Sequence, residues 1–396
     1  MITQIKIFGF KAVFSSKLTL GNFTLLIGRN GAGKSTAVEA LQFLRDATFR
    51  GLASATGPYA NFDELVNRRA ESLYLDVRFW RARKPLPVHY ELGVERAAGL
   101  SDGVARPIVA YEKCTTGQTS GAQRVIRSRK GKRGPAFRWI GGRGATPLVI
   151  RAGDELGLGY TGSVRAVGAQ DLRDYLSRAV FLRLSPTALA VPSRVERLTW
   201  SPILSDDGHD LPLLLERMSA ATLKRVAERV RTIFQDVRGL HVVKSGEERY
   251  LAVQEHMRSR GGNRTYDIPS WMLSEGMRRV VALCALMEIE PRPSLLAIEE
   301  VENGLDPWTL ERVLEALRDA SGEIQVLLTT HSPFLLDHVE LSDVIHVRRL
   351  RGDTTYEPVE NLDDVIQYRG VLAPGAMFLS NVFGDRSAPT SQDAED

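Results

Sequence analysis

Cysteine is scarce in this 396-residue chain: Cys114 and Cys284 stand far apart and form no CxxC pair. A disulfide framework or a structural zinc site is thereby disfavoured, and a reducing compartment fits. Long apolar runs are missing too. Nothing approaches the ~18 consecutive apolar residues of a membrane-spanning helix. The opening "MITQIKIFGFKAVF" alternates apolar and polar residues like a strand, without the apolar core and small-residue cleavage site of a secretory signal. These features point to a cytoplasmic protein with no membrane association. No heptad pattern is long enough for a coiled coil, and no internal repeat is visible. One further absence is local: from Lys113 to Arg151 there is no Asp or Glu, against ten Lys and Arg.

What is present is ordinary in bulk. Apolar residues make up 43% and charged residues 25%, with a formal net charge of +4. That describes a globular chain of one large or two coupled domains, with a weak basic excess that suits anionic partners. "ITQIKIFGF" and "FTLLIG" read as strands, the second apolar enough to be buried on both faces. A helix is expected from about Lys34 to Leu44. From Leu73 to Ile150, short alternating segments ("LYLDVRFW", "VHYELGV", "RPIVAYEK", "AFRWI", "PLVI") separated by Gly and Pro read as an antiparallel meander. Asp171–Arg178 and Leu211–Phe234 read as helical, the latter interrupted near Ser219, and "RGLHVVK" with "RYLAVQEH" as a hairpin. In the last third, Ser294–Ile298 and Ile324–Leu328 are buried-strand candidates between helical patterns at Leu273–Ile289 and Thr309–Ala320. Strands alternating with helices imply an α/β fold with a largely parallel sheet. The tail, residues 385–396, is polar and reads as disordered.

Between the second strand and the first helix stands "GRNGAGKS", Gly28–Ser35, which fits G-x-x-x-x-G-K-[ST]. Gly31 and Gly33 can adopt backbone angles closed to other residues, so that the N–H groups of the loop from Asn30 onward turn inward around an anion. The helix that follows adds its N-terminal partial charge. Lys34 would reach the β- and γ-phosphates, Ser35 would ligate magnesium, and Thr36 would add a hydroxyl near the α-phosphate. The competing reading is a glycine-rich turn with a chance lysine. Three later segments weigh against it. "SLLAIEEVENGLDP" ends a buried strand in Glu299 and Glu300, at the sheet edge where ligands bind in open α/β folds. Glu299 would hold the magnesium shell and Glu300 would polarise a water. Taken alone, the pair reads equally well as surface acids. "LSEGMRRVVALCAL" gives a helix capped by Ser274, with Gly276 permitting close approach and Met277, Val280, Val281 and Cys284 on one face. "VLLTTHSPFLL" places His331 one strand after the double glutamate, where an imidazole can contact a γ-phosphate.

The order "GRNGAGKS", "LSEG", "LLAIEE", "GLD", "TTHS" resembles that of ABC-type ATPases, in particular the soluble branch of SMC, RecF-like and overcoming-lysogenisation-defect proteins. "ENGLDP" and "THSPFLLD" are similar to ATPases of bacterial defence and repair loci. The resemblance is carried by roughly the first 45 residues and by Leu273–Leu336. It implies a P-loop ABC-type ATPase head with ATP and Mg2+ as cofactors. Its core would be discontinuous, 1–72 and 270–375, interrupted by an antiparallel β-rich segment with a basic loop, 73–165, and a mixed helical and hairpin insertion, 166–269. It also implies a head-to-tail homodimer. Ser274 and Gly276 of one subunit would touch the γ-phosphate held by Lys34 of the other, Asp306 would run along the seam, and His331 would sit beside the γ-phosphate. Two positions depart from the pattern. Glu299 replaces the usual aspartate, and Glu275 stands where transporters usually carry glycine.

The acid-free stretch is densest in "RVIRSRKGKRGPAFRWIGGRG", from Arg124. Its glycines argue for a hairpin tip, with Phe137 and Trp139 on a flanking strand. Arg124, Arg127, Arg129, Lys130, Lys132 and Arg133 are candidate contacts to a phosphate backbone. A solvated charged loop or an acidic protein partner are the alternatives. Two functions compete. One couples ATP-driven dimerisation to nucleic-acid sensing or DNA maintenance, in antiphage defence or repair. The other is an ATP-dependent scaffold that holds or releases a nuclease or toxin effector in trans, since no DxD sequence follows His331. A transporter's energy subunit is disfavoured by the long β-rich insertion.

Overall fold

The computed structural model describes residues 1–59, 61–80, 87–97, 106–116, 124–128, 137–140, 154–163, 167–195, 203–259 and 262–384. At its centre is a six-stranded sheet of β3 (Phe23–Ile27), β9 (Ala179–Leu182), β14 (Leu295–Ile298), β15 (Gln325–Thr330), β16 (Val344–Leu350) and β17 (Asp353–Pro358). The order is β17-β16-β3-β15-β14-β9, parallel throughout except for β17, which returns antiparallel on β16. Every residue of β3, β9, β14 and β15 is buried, as continuous apolar strands covered on both faces must be. Alternation divides β3 between two cores. Leu26 faces one, while Leu25 and Ile27 face the other.

The Leu26 side is closed by a seven-stranded antiparallel sheet and by helix α1 (Lys34–Ala55). That sheet contains β1 (Ile2–Phe10), β2 (Val13–Thr19), β4 (Ser72–Trp80), β5 (Pro87–Arg96), β6 (Pro107–Thr116), β7 (Arg124–Ser128) and β8 (Phe137–Ile140), in the order β2-β1-β4-β5-β6-β7-β8. Short α2 (Phe62–Leu65) and α3 (Val167–Ser177) lie beside it in the chain. The opposite core receives α4 (Leu211–Glu216), α5 (Ala220–Ile233), α6 (Glu275–Glu288) and α7 (Pro307–Ala320). Here too packs a small antiparallel sheet, in which β12 (Glu248–Ser259) pairs with β10 (Ser193–Arg194), β11 (Val237–Ser245) and β13 (Gly262–Pro269). Helices α8 (Asp363–Tyr368) and α9 (Pro374–Leu379) follow β17.

The expected α/β class, the parallel sheet, the meander and the β11–β12 hairpin are all present. Several details differ. Helix α1 runs eleven residues past Leu44, to Ala55, across an irregular Gly51 (φ 78°). Arg45 and Asp46 break its apolar pattern in sequence, yet Arg45 is buried, stacked on Phe181 and bonded to the Ala179 carbonyl. Helix α6 is no one-faced helix: Arg278 through Glu288 are all buried, so Met277, the least buried of the expected stripe, marks its open end. Arg124–Ser128 forms strand β7, antiparallel to β8, which carries Phe137 and Trp139 as the flanking strand; residues 129–136 lie outside the described residues. Strand β9 comes from the segment read as an insertion and β1 from the stretch read as core, yet β9 edges the parallel sheet and β1 lies in the antiparallel one. "PLVI" and the tail 385–396 lie outside the described residues.

Candidate nucleotide site

The glycine loop joins the buried end of β3 to α1. Gly31 (φ 75°) and Gly33 (φ 108°) both take left-handed backbone angles, so the loop folds back as a concave run of N–H groups. A Cβ at Gly33 would lie 2.5 Å from the Thr354 hydroxyl oxygen, so a side chain there collides with β17. Lys34 is buried, and its ammonium donates to the carbonyls of Gly28 (2.7 Å) and Arg29 (3.0 Å). The cation thus lies across the loop, where a phosphate's charge is needed. Thr36 is buried in the first turn of α1.

The parallel register brings the other residues to the same edge. Ile27 stands opposite Thr330, and Ile298 opposite Leu328. The loop after β3, Glu299–Glu300 after β14 and His331 after β15 therefore leave the sheet at its carboxyl end. The Ser35 hydroxyl lies on the Glu299 side of the loop and favours the charged carboxylate. Burial raises the Glu299 pKa above the ordinary carboxylate range, and the nearby Glu39 and Glu300 charges add to it; Ser35 and Arg183 pull the other way. A half-buried carboxylate with two further carboxylates, Glu39 and Glu300, near it suits a divalent cation. Ser35 and Glu299 together fit magnesium, which would supply charge neutralisation at the phosphates.

Glu300 is one of four non-glycine residues with positive φ among the described residues (φ 48°). Such a conformation costs about 1–3 kcal/mol and persists only when neighbours hold it. Here the Glu300 N–H donates to Thr329 Oγ1 (3.0 Å), and Asn303 closes a turn by donating from its backbone to the Glu300 carbonyl (3.0 Å). Asn303 Nδ2 also donates to Glu300 Oε2 at 2.5 Å. His331 is half-exposed and gripped by Glu302, whose Oε1 accepts its backbone N–H at 3.0 Å.

The remaining expected residues have local work to do in one chain. Ser274 caps α6 by accepting from Met277 N (3.2 Å). A Cβ at Gly276 would lie 2.9 Å from the Gly304 carbonyl oxygen, so the glycine admits the "GLDP" loop against the first turn of α6. Glu275 pairs with Arg279 (3.2 Å) and lies where a Cβ on Gly304 would fall. Asp306 caps α7, accepting from Thr309 N (3.0 Å) and Thr309 Oγ1 (2.6 Å), and these bonds hold its carboxyl below the usual range. Within one chain, then, "LSEG" and "GLDP" touch each other, and the adjoining Trp271, Met272 and Trp308 are exposed.

The family model described as "AAA domain, putative AbiEii toxin, Type IV TA system" matches residues 23–86 and 203–337, just over half of the chain. The chain belongs to that family. Among solved structures, the Smc head bound to the C-winged helix domain of ScpA is similar at a TM-score of 0.52 and 14% identity, over 90% of this chain and 97% of that one. The SMC head domain from Thermotoga maritima is similar at 0.44 and 17%, over 90% and 98%. An Smc head bound to the C-terminal domain of ScpA from Pyrococcus furiosus is similar at 0.48 and 12%, over 93% and 99%. At these identities the likeness concerns the fold. No curated protein matches. The chain thus carries an AAA-type ATPase domain, in a fold similar to that of an Smc head. No helix among the described residues is long and apolar enough to cross a membrane.

Of the candidate nucleic-acid contacts, Arg124 and Arg127 fall on β7, the penultimate strand of the seven-stranded sheet. Arg129, Lys130, Lys132 and Arg133 lie outside the described residues. Sequence reasoning missed Thr329, Glu302, Asn303, Thr354 and Tyr356. For Glu302 and Asn303 a signal existed, because both are polar and follow the double glutamate within one turn.

Proposed function

We propose that the protein binds ATP–Mg2+ at Asn30, Gly31, Gly33, Lys34, Ser35 and Thr36, dimerises around it and hydrolyses it. The observation that carries this reading is the parallel register that brings the glycine loop, Glu299–Glu300 and His331 to the carboxyl end of one sheet. It joins the phosphate cradle to the strand end that carries Glu300. Glu300 acts on the attacking water as general base, and His331 stabilises charge at the γ-phosphate. Ser274, Gly276 and Asp306 face the partner's nucleotide. The exposed Trp271, Met272 and Trp308 beside those loops support a homodimer face, since large apolar side chains grouped at a surface mark contact sites. The basic strand and loop around Arg124 and Arg127 couple this cycle to nucleic acid, in defence or repair. The protein works in the cytoplasm.

A second reading is favoured by the family description, which names a toxin of a toxin–antitoxin system. There, ATP is a conformational ligand, and the dimer holds or releases a nuclease or toxin acting in trans. One experiment separates the two: the light-scattering mass of the Glu300→Gln protein, with and without ATP–Mg2+ and duplex DNA. An ATP-dependent doubling enhanced by DNA supports the nucleic-acid-coupled dimer. A constant mass indifferent to DNA overturns it in favour of the scaffold.

A further inference from the structure

The turn after Glu300 carries a group that the motif pattern does not use. Glu302 Oε1 accepts from Thr330 Oγ1 at 2.8 Å and from the His331 backbone N–H at 3.0 Å. The same oxygen lies 3.2 Å from His331 Nδ1, close enough for electrostatic bias though not aligned as a hydrogen bond. The Glu302 side chain is 12% exposed, whereas the imidazole is 45% exposed. Its second oxygen, Oε2, is buried with no hydrogen-bond partner among the described residues. A carboxylate serving only to tie β15 to the turn needs the first two bonds and gains nothing by facing an imidazole. Two lone pairs at 3.2 Å repel, so this oxygen disfavours an unprotonated Nδ1.

We infer that Glu302 is the positioning residue for His331, holding its ring with the proton on Nδ1 and leaving Nε2 for the nucleotide. This deepens the reading of His331 as the γ-phosphate-side group and rests on it. A neutral imidazole protonated on Nδ1 has a lone pair on Nε2. That nitrogen is then turned toward the nucleotide side. The carboxylate fixes the tautomer, as an acid behind a working histidine does in hydrolases. Thr330 and the backbone N–H fix the carboxylate in turn. The chain of positioning thus runs from the end of β15, through Glu302, to the ring.

The test uses the full-length protein labelled with 15N-histidine, which carries seven imidazoles; His331→Gln identifies the signals of the ring in question. At neutral pH the wild-type ring should carry its proton on Nδ1. In Glu302→Ala the ring should revert to the Nε2-protonated form, with kcat for ATP falling about 10–100-fold and KM little changed. Glu302→Gln keeps an acceptor for Nδ1–H and should retain more turnover than Glu302→Ala. An Nε2-protonated ring in the wild type overturns the proposal, as does a Glu302→Ala protein with wild-type ring signals and kcat. Should Glu302→Ala fail to fold, the wild-type ring assignment and Glu302→Gln decide. Failure of the underlying reading shows separately, as full turnover in His331→Gln whatever the state of the ring.

Discussion

Tyr356 donates its phenolic hydrogen to the carbonyl of Gly33, 323 residues earlier, at 3.0 Å. Both ends of this bond are buried, and Thr354 on the same strand donates to the Ala32 carbonyl at 2.9 Å. Strand β17 therefore forms the floor of the phosphate loop. Tyr356→Phe keeps the ring and removes one donor, leaving a buried carbonyl unpaired at a cost of about 1–3 kcal/mol. Its thermal midpoint should fall by a few degrees, and its ATP affinity should fall with it, because the loop loses its fixed shape. Calorimetry with and without ATP measures both. Weakened stability with unchanged affinity would show that β17 supports the fold and not the site.

Lys34→Ala should abolish detectable ATP binding in titration calorimetry. The ammonium caps two loop carbonyls, at Gly28 and Arg29, so the variant loses the loop's closure as well as its charge. Lys34→Met, which retains the aliphatic stem, should be better folded and equally inactive. Unchanged ATP turnover in either variant would remove the loop from the reaction.

Glu299 gives a pH-dependent prediction. Its pKa is raised in the folded protein, mainly by burial. A raised carboxyl pKa favours the folded state below the unfolded value of about 4.3, and that contribution is lost as pH rises through the folded value. At neutral pH the metal-free protein therefore carries a cost at this residue. Glu299→Gln removes the titration, so the variant's thermal midpoint should gain on the wild type as pH rises out of the acid range. Mg2+ with ATP should stabilise the wild type more than the variant. Equal pH profiles would mean that the carboxyl is relaxed in solution.

These cases show which parts of the site could be read in advance. Gly31, Gly33, Lys34 and Ser35 are adjacent in the chain, so their chemistry is local and their spacing carries it. Glu299–Glu300 and His331 were legible because each follows a short strand with an apolar run at its centre, "LLAI" and "VLL". Thr354 and Tyr356 were not, because nothing near "DTTYEP" refers to a loop more than 320 residues away. Strand β9, "AVFL", is four residues long and equally at home in a buried helix, so its place at the edge of the parallel sheet depends on tertiary pairing with β14. Helix α1 was read too short because Arg45 looks like a surface residue until Phe181 is beneath it. Ser274 was legible as a cap and Gly276 as a close contact, whereas the Asp306 cap of α7 emerges only from the structure.

Asn303 tests whether the strained turn serves the chemistry. Its amide holds the Glu300 carboxylate at 2.5 Å, on the residue whose φ of 48° other bonds also maintain. Asn303→Ala should leave ATP binding intact and lower kcat about 10-fold, because the base loses its orientation while keeping its identity. Single-turnover kinetics separate this from slowed product release. A variant with faster turnover would show that the bond restrains Glu300 instead.

Gly276 separates two reasons for a glycine in the first turn of α6. Judged as a helix position alone, Gly276→Ala should stabilise the protein by up to about 1 kcal/mol. The structure opposes this, since the new Cβ would press on the Gly304 carbonyl at 2.9 Å and meet Leu305 Cδ2 at 3.5 Å. Either the first turn of α6 or the "GLDP" loop must give way, and that loop carries the Asp306 cap of α7. Gly276→Ala should therefore lower the thermal midpoint, and lower ATP-dependent association in a Glu300→Gln background, with ATP affinity of the isolated protomer unchanged. A raised midpoint with full association would show that the two loops yield to each other freely, and the contact would lose its claim to set the geometry of the signature.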